Sequence, residues 1–196
     1  MINWLLKGDR LEVEGTEVPQ TSKRPMSEMR PVLQNPDAAG PDPLYLVYRG
    51  VPNPDAPPGS RSDITVLEPG TIGREYVKTH GHYHLGDGEE IYQVLSGEGS
   101  LLLQKPGFNY ETVESVRLVS LHPEQPVIIP SGWGHTLINT GEDRLVTLNN
   151  QPQGVESLYS AYEKMHGAAY YVTKGGNGPE LEPNPAYSDL PKIQTF

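Results

Sequence analysis

From Leu44 onward the chain is cut into short apolar runs, each closed by a turn-forming cluster, and this spacing most constrains the fold. The runs fall at residues 44–49, 63–68, 74–80, 90–96 and 100–105, then at 115–121, 126–130, 135–139 and 144–149. Their separators are Pro69-Gly70, Gly86-Asp87-Gly88, Gly97-Glu98-Gly99, Pro130-Ser131-Gly132 and Thr140-Gly141-Glu142-Asp143. Such residues preset or tolerate turn dihedrals. Closely spaced short strands of this kind point to a sandwich or barrel rather than βαβ units. One segment breaks the pattern. Val155, Leu158, Tyr162 and Met165 fall at helical spacing, and Gly167 stands where a C-cap is expected, so one short C-terminal helix is predicted there.

Residues 168–174 read as a further strand, which closes a barrel over 44–174. Residues 1–43, rich in proline and weakly periodic, read as an N-terminal arm with edge strands such as Leu11–Glu14, suited to crossing to a partner subunit. Residues 175–196 read as a C-terminal tail. A chain of 196 residues with 35% hydrophobic content suits one domain. Its formal net charge of −10 argues against a nucleic-acid groove. It does not exclude a small phosphorylated ligand, which local groups can hold. No apolar run approaches the ~20 residues of a membrane span, and the N-terminus does not read as a signal peptide. Cysteine is absent, which removes disulfides, thiolate ligands and a cysteine nucleophile. A soluble cytoplasmic protein is the expectation.

Three of the six histidines crowd into Thr79-His80-Gly81-His82-Tyr83-His84. Residues two apart on a strand share a face, so His82 and His84 can present imidazoles side by side. Glu90 opens the next strand after a glycine turn, and a hairpin would return its carboxylate beside the pair. His135 opens a later strand after Pro130-Ser131-Gly132. Three imidazoles and one carboxylate suit Fe(II), Mn(II), Ni(II) or Zn(II) and are too nitrogen-rich for Mg(II) or Ca(II). A four-ligand set leaves an octahedral ion open positions for substrate oxygens, as catalytic sites require. Lone His122 and His166 carry no such pattern.

His82-x-His84, five residues, Glu90, six residues, Gly97 resembles the first cupin motif, and Pro130-x-Gly132-x-x-His135-x-x-x-Asn139 resembles the second. Glycines that usually precede each motif are replaced by Tyr76 and Glu124. The surrounding residues resemble one cupin group, the archaeal-type glucose-6-phosphate isomerases. The resemblance runs through Thr65-Val66-Leu67, Pro69-Gly70, Gly73-x-Glu75, the Thr79-x-Gly81-His82-x-His84 run, Glu90-x-Tyr92 and Leu95-x-Gly97-x-Gly99. It continues at Leu102-Leu103-Gln104, Pro130, Trp133, His135, Asn139 and Gly141, with a weaker echo at Ser22-x-Arg24 and Ser27-x-Met29. The resemblance implies a single-domain, all-β cupin barrel (a double-stranded β-helix or jelly roll). It also implies a homodimer and one divalent metal per subunit, iron foremost, held by His82, His84, Glu90 and His135. It implies Thr65, Thr79 and the Gly81 backbone near a substrate phosphate, with Tyr92, Tyr45 or Tyr48, and Tyr159 lining the sugar pocket. Two positions depart from the family pattern: Gln151 stands where a tyrosine is usual and Ser157 where a histidine is usual.

The implied reaction interconverts glucose 6-phosphate and fructose 6-phosphate. It moves a proton or a hydride between C1 and C2, with Glu90 as the candidate base and Tyr92 as a hydroxyl proton shuttle. His80 and Lys78 are candidates for helping to hold the phosphate. An Fe(II) dioxygenase would use the same four ligands but has no need of the Thr65, Thr79 and Gly81 cradle. A non-catalytic sugar-binding cupin would not need all four ligands.

Overall fold

The computed structural model describes residues 2–123 and 125–195, so Glu124, one of the two displaced motif positions, lies outside the described residues. Three short strands, β1 (Trp4–Lys7), β2 (Arg10–Val13) and β3 (Thr16–Val18), form an antiparallel N-terminal sheet. β4 (Ser22–Arg24) leads into a helical turn, α1 (Met26–Met29). The chain then runs through β5 (Tyr45–Arg49), β6 (Ser60–Leu67), β7 (Thr71–Ile72), β8 (Glu75–Tyr76), β9 (His82–Leu85) and β10 (Glu90–Ser96). β11 (Gly99–Pro106), β12 (Val113–Leu121), β13 (Val127–Ile129), β14 (Gly134–Asn139), β15 (Leu145–Pro152) and β16 (Glu156–Leu158) follow. α2 (Ser160–Lys164), β17 (Tyr170–Gly175), β18 (Gly178–Pro183) and β19 (Gln194–Thr195) complete the order.

Two six-stranded sheets face each other, ordered β13-β10-β15-β6-β5-β4 and β16-β9-β14-β11-β12-β19. From β9 to β16 the chain crosses between them at each step except from β11 to β12, and the main core lies in the gap, with Leu67, Leu101, Leu103, Leu137 and Leu145 nearly or wholly buried. This is the all-β, two-sheet architecture expected. β6 explains why the N-terminal sheet is needed. Its residues 62–67 are buried on both faces, so an outward row of Ile64 and Val66 must also leave water. β2 and β3 cover that row with Leu11, Val13 and Val18. Each large aliphatic side chain buried this way contributes about 1.5–3 kcal/mol. Residues 4–18 therefore pack on the barrel of their own chain.

Tight turns hold the sheets in register. Gly97 has φ +85, and a Cβ there would meet the Arg144 carbonyl oxygen at 2.5 Å. Asn139 secures the turn at 140–143. Its Nδ2 donates to the carbonyls of Asp143 (2.9 Å) and Glu68 (3.1 Å), while its Oδ1 accepts from the Gly141 N–H (3.0 Å).

Three elements differ from the sequence reading. The helix expected from Val155 begins only at Ser160. Glu156–Leu158 instead pair with β9, placing Ser157 opposite His84. The apolar spacing is real, because Tyr162 and Met165 are buried, but strand pairing with β9 prevails before the helix starts. The run at 74–80 is not one strand either. Only Glu75–Tyr76 pair, Lys78 makes a single bridge to Ile138, and Gly81 turns at φ +80. Finally, residues 178–183, read as tail, pair with β17.

A candidate metal centre between the sheets

β9 and β14 place His82 and His135 directly opposite one another, with their ring centroids 4.4 Å apart. His84, two residues on, shares that face, and its Nε2 lies 3.0 Å from His82 Nε2. Glu90 does not return by a hairpin. The turn at 86–89 carries the chain across to the other sheet, so Glu90 approaches the imidazoles from the facing side. Its Oε2 lies 3.4 Å from His84 Nε2 and 3.3 Å from His135 Nε2.

The four side chains offer one donor atom each within 4.8 Å of one another. Donors held about 2.0–2.2 Å from one ion at right angles lie roughly 3 Å apart, close to the spacings seen. Glu90 Oε2 and His135 Nε2 are buried and have no hydrogen-bond partner. Leaving such atoms unsatisfied is costly, and a bound cation relieves both. Burial and the neighbouring His84 push the His135 pKa down to about 3, which keeps its imidazole neutral as ligation requires. Burial lowers His84, and burial with His135 and His84 holds His82 well below its ordinary value. Burial raises Glu90 to about 8, against the opposing hydrogen bond from Asn149. A divalent transition metal fits this N3O set.

The inward face of the first sheet forms the rest of the cleft wall. Reading across the strands by register, one row holds Arg24, Tyr45 and Leu67, and the next holds Val47, Thr65 and Thr147. A third holds Arg49, Asp63, Asn149 and Tyr92. Tyr92 is buried 5.7 Å from the His135 ring, and burial, then Glu90, pushes its pKa well up, so it stays a protonated phenol. Thr65, Thr79, Gly81, Tyr45 and Tyr159 all line the cleft. The Thr79 hydroxyl accepts the Leu137 N–H at 3.0 Å. Gly81 is required sterically, since a Cβ there would meet Thr136 Oγ1 at 2.4 Å and the Tyr162 ring at 2.5 Å. The Tyr159 ring covers His82 at 5.0 Å.

Two expected residues lie elsewhere. Tyr48 is three residues from Tyr45 and so faces away. It packs in the outer core, and its hydroxyl donates to the Asp9 carbonyl at 2.6 Å. Lys78 points away from the cleft. Its ammonium bonds the Val32 carbonyl at 2.5 Å and pairs with buried Glu75 at 2.9 Å, pinning the segment after α1 to the barrel. His80 does reach the cleft, with its ring 5.3 Å from that of Tyr159.

The cation beside the tyrosines is Arg24, which sequence reasoning quoted but gave no role. Its guanidinium lies 5.9 Å from the rings of both Tyr45 and Tyr159, and it donates to Tyr45 Oη (3.2 Å) and Glu28 (2.7 Å). Burial works against its charge, but Tyr45 and Glu28 outweigh that and raise its pKa. Asp63 and Asn149 were also missed. Asp63 accepts a two-pronged contact from Arg61 (2.8 Å and 2.8 Å) and the Gly50 N–H (3.0 Å). Gln151 and Ser157, the two departures, both line the cleft, and Gln151 Oε1 accepts from Arg61 at 2.8 Å.

A family model described as "Glucose-6-phosphate isomerase (GPI)" matches residues 23–187. "Glucose-6-phosphate isomerase" of Thermococcus gammatolerans is 27% identical over 188 residues, covering 92% of this chain and 96% of that one. The protein of the same name from Thermococcus onnurineus is 33% identical over 113 residues, so this chain spans 57% of that relative's length. Among solved structures, capsular polysaccharide assembling protein CapF from Staphylococcus aureus is similar with a TM-score of 0.44 and 17% identity, over 58% of this chain and 28% of that one. Because the family match extends from β4 to beyond β18 and encloses the whole imidazole–carboxylate set, the chain belongs to the glucose-6-phosphate isomerase family.

Proposed function

We propose that this chain interconverts glucose 6-phosphate and fructose 6-phosphate, using one divalent transition metal held by His82, His84, Glu90 and His135. The observation that carries this reading is the pairing, in one cleft, of that clustered ligand set with a hydroxyl-, glycine- and guanidinium-lined wall. When bound, such a metal supplies Lewis acidity toward adjacent hydroxyl and carbonyl oxygens of a sugar. Fe(II) is the first choice, with Mn(II), Ni(II) and Zn(II) as alternatives.

The chain's own residues bind, orient and handle protons. Arg24, Thr65, Thr79, Tyr45 and the Gly81 backbone hold the phosphate, the guanidinium contributing the charge-assisted bonds. That anchor places C1 and C2 against the imidazole side, and Tyr159 over His82 shields the reacting carbons from water. Tyr92, kept protonated by burial, donates to and takes back a substrate hydroxyl proton at Oη. Glu90 would hold a migrating proton at Oε2 only when that oxygen is released from the metal, since Oε1 is already engaged by Asn149. The same reading expects a cytoplasmic homodimer. Among the described residues, no helix is long and apolar enough to cross a membrane.

The test is a coupled assay that follows glucose 6-phosphate from fructose 6-phosphate, using metal-stripped protein before and after adding each metal. Turnover restored by metal, and missing in His135→Ala, supports the reading. Protein that binds metal yet leaves fructose 6-phosphate untouched overturns it. Running the reaction in deuterated water probes the route: deuterium at C1 or C2 reports proton transfer.

A further inference from the structure

The two oxygens of Glu90 have different fates. Oε1 accepts a 2.6 Å hydrogen bond from Asn149 Nδ2, while Oε2 is buried without a hydrogen-bond partner and faces His84 and His135. Asn149 lies opposite Tyr92 across β10 and β15, two residues along from Glu90 on the same face. Diagonal neighbours on a sheet are within reach of such side chains. Both residues are almost fully buried, at 5% and 2% exposure, so water does not compete for the bond. With Glu90 ionised, as ligation requires, the amide has only one orientation that works. Nδ2 donates to the carboxylate, whereas the flipped amide would set two acceptor oxygens 2.6 Å apart.

We propose that Asn149 is a positioning residue for the metal centre, committing Glu90 Oε1 to the protein so that Glu90 ligates through Oε2 alone. This rests on the metal reading above. An amide N–H cannot ligate, and while it donates to Oε1 it competes with the ion for that oxygen, which disfavours a bidentate carboxylate. The bond also fixes the carboxylate plane, which nothing does for the imidazole opposite: His135 Nδ1 is buried without a partner. Asn149 is itself held in a row with Asp63, its direct partner on β6, which Arg61 grips. Partners that orient ligands in this way are worth about 10–100-fold in metal affinity.

The experiment titrates Mn(II) into metal-stripped wild type, Asn149→Leu and Asn149→Asp by calorimetry. It also records the visible d–d bands of the Co(II)-loaded proteins and the metal-free melting temperatures. Asn149→Leu keeps the branched shape and the number of heavy atoms and removes the donor. Its Mn(II) affinity is expected to fall roughly 10–100-fold, with altered Co(II) bands as the second carboxylate oxygen is released. Asn149→Asp, nearly isosteric, sets a second carboxylate against Oε1 and is also expected to alter the bands. It decides the matter should the leucine variant fail to fold. Unchanged affinity and bands in a folded variant, with at most a lower melting temperature, overturn the proposal by showing that Asn149 only packs the barrel. Wild type that takes up no Mn(II) or Co(II) overturns the metal reading and this inference together. None of these readouts needs isomerase turnover, so failure of the assay with fructose 6-phosphate leaves them standing.

Discussion

The imidazole side of the cleft and the Arg24 side are assembled in different ways. The first takes its four donors from β9, β10 and β14, two of them only two residues apart, and presses them within 4.8 Å of one another. The second draws Arg24 from β4, Tyr45 from β5 and Thr65 from β6, and adds Thr79 and Tyr159 from loops flanking β9 and α2. The imidazole side leaves buried polar atoms without partners, whereas on the other side the Arg24 guanidinium and the Thr79 hydroxyl are engaged. The contrast separates two kinds of recognition. A site for a multiply charged cation concentrates bare donors, because ion binding repays their burial. A site for a phosphate end can keep its donors in standing hydrogen bonds and exchange them when the ligand arrives.

Substitutions can break or sharpen this contrast. The largest effect is expected from His135→Ala: metal per subunit, by elemental analysis, should fall to near zero, a greater loss than the ~10–100-fold that removing an outer partner brings. A mutant that keeps its metal would break the comparison. Lys78→Met tests a cation near the cleft in sequence but not in space. Stranding buried Glu75 should cost about 3–5 kcal/mol in urea unfolding, with KM for fructose 6-phosphate nearly unchanged. Next comes pH. In metal-free protein Glu90 titrates near 8 rather than 4.5, so the native state keeps a proton that the unfolded chain has released. Its contribution is present in full below about 4.5 and is lost as pH rises through about 8. His135 runs the other way, its contribution fading as pH falls from 6.5 toward about 3. Unfolding of metal-free Glu90→Gln should therefore lack the alkaline decline.

Arg24→Leu should act on the other side alone. Losing charge-assisted bonds worth about 1.5–3 kcal/mol raises KM for the sugar phosphate roughly 10–100-fold. Mn(II) affinity should not move. A parallel loss of metal would show that the two sides are not separable. The smallest effect is expected at Phe108, fully exposed on the loop after β11. Phe108→Ser should change stability by less than about 0.5 kcal/mol and leave both sides intact.

The imidazole side was legible because its information is local. His82 and His84 share a face by strand period, and His135 follows its own turn residues. Even there the route of Glu90 was misread, since a glycine turn of the same composition can close a hairpin or cross between sheets. On the Arg24 side the period-two rule already separates Tyr45 from Tyr48, three residues apart. The polar alternation of Arg61, Asp63 and Thr65 with Ile64 and Val66 likewise marks an inward polar row. No local pattern ties Arg24 to Tyr159, or Asn149 to Glu90. Those neighbours exist only through strand order and register. The helix predicted from Val155 starts only at Ser160 for a related reason: Glu156–Leu158 found backbone partners on β9.

The sequence by itself determined the all-β class, the turn positions and the identity of the four clustered side chains proposed to hold the metal. Each follows from residues within a strand or a turn, where backbone geometry sets which way a side chain points. Tertiary structure decided that Glu90 reaches the imidazoles from the opposite sheet and that Asn149 takes one of its oxygens. It also decided that Arg24, not Lys78, stands beside the tyrosines. These are contacts between elements distant along the chain, and burial on both faces of β6, together with the register of the sheets, selects them.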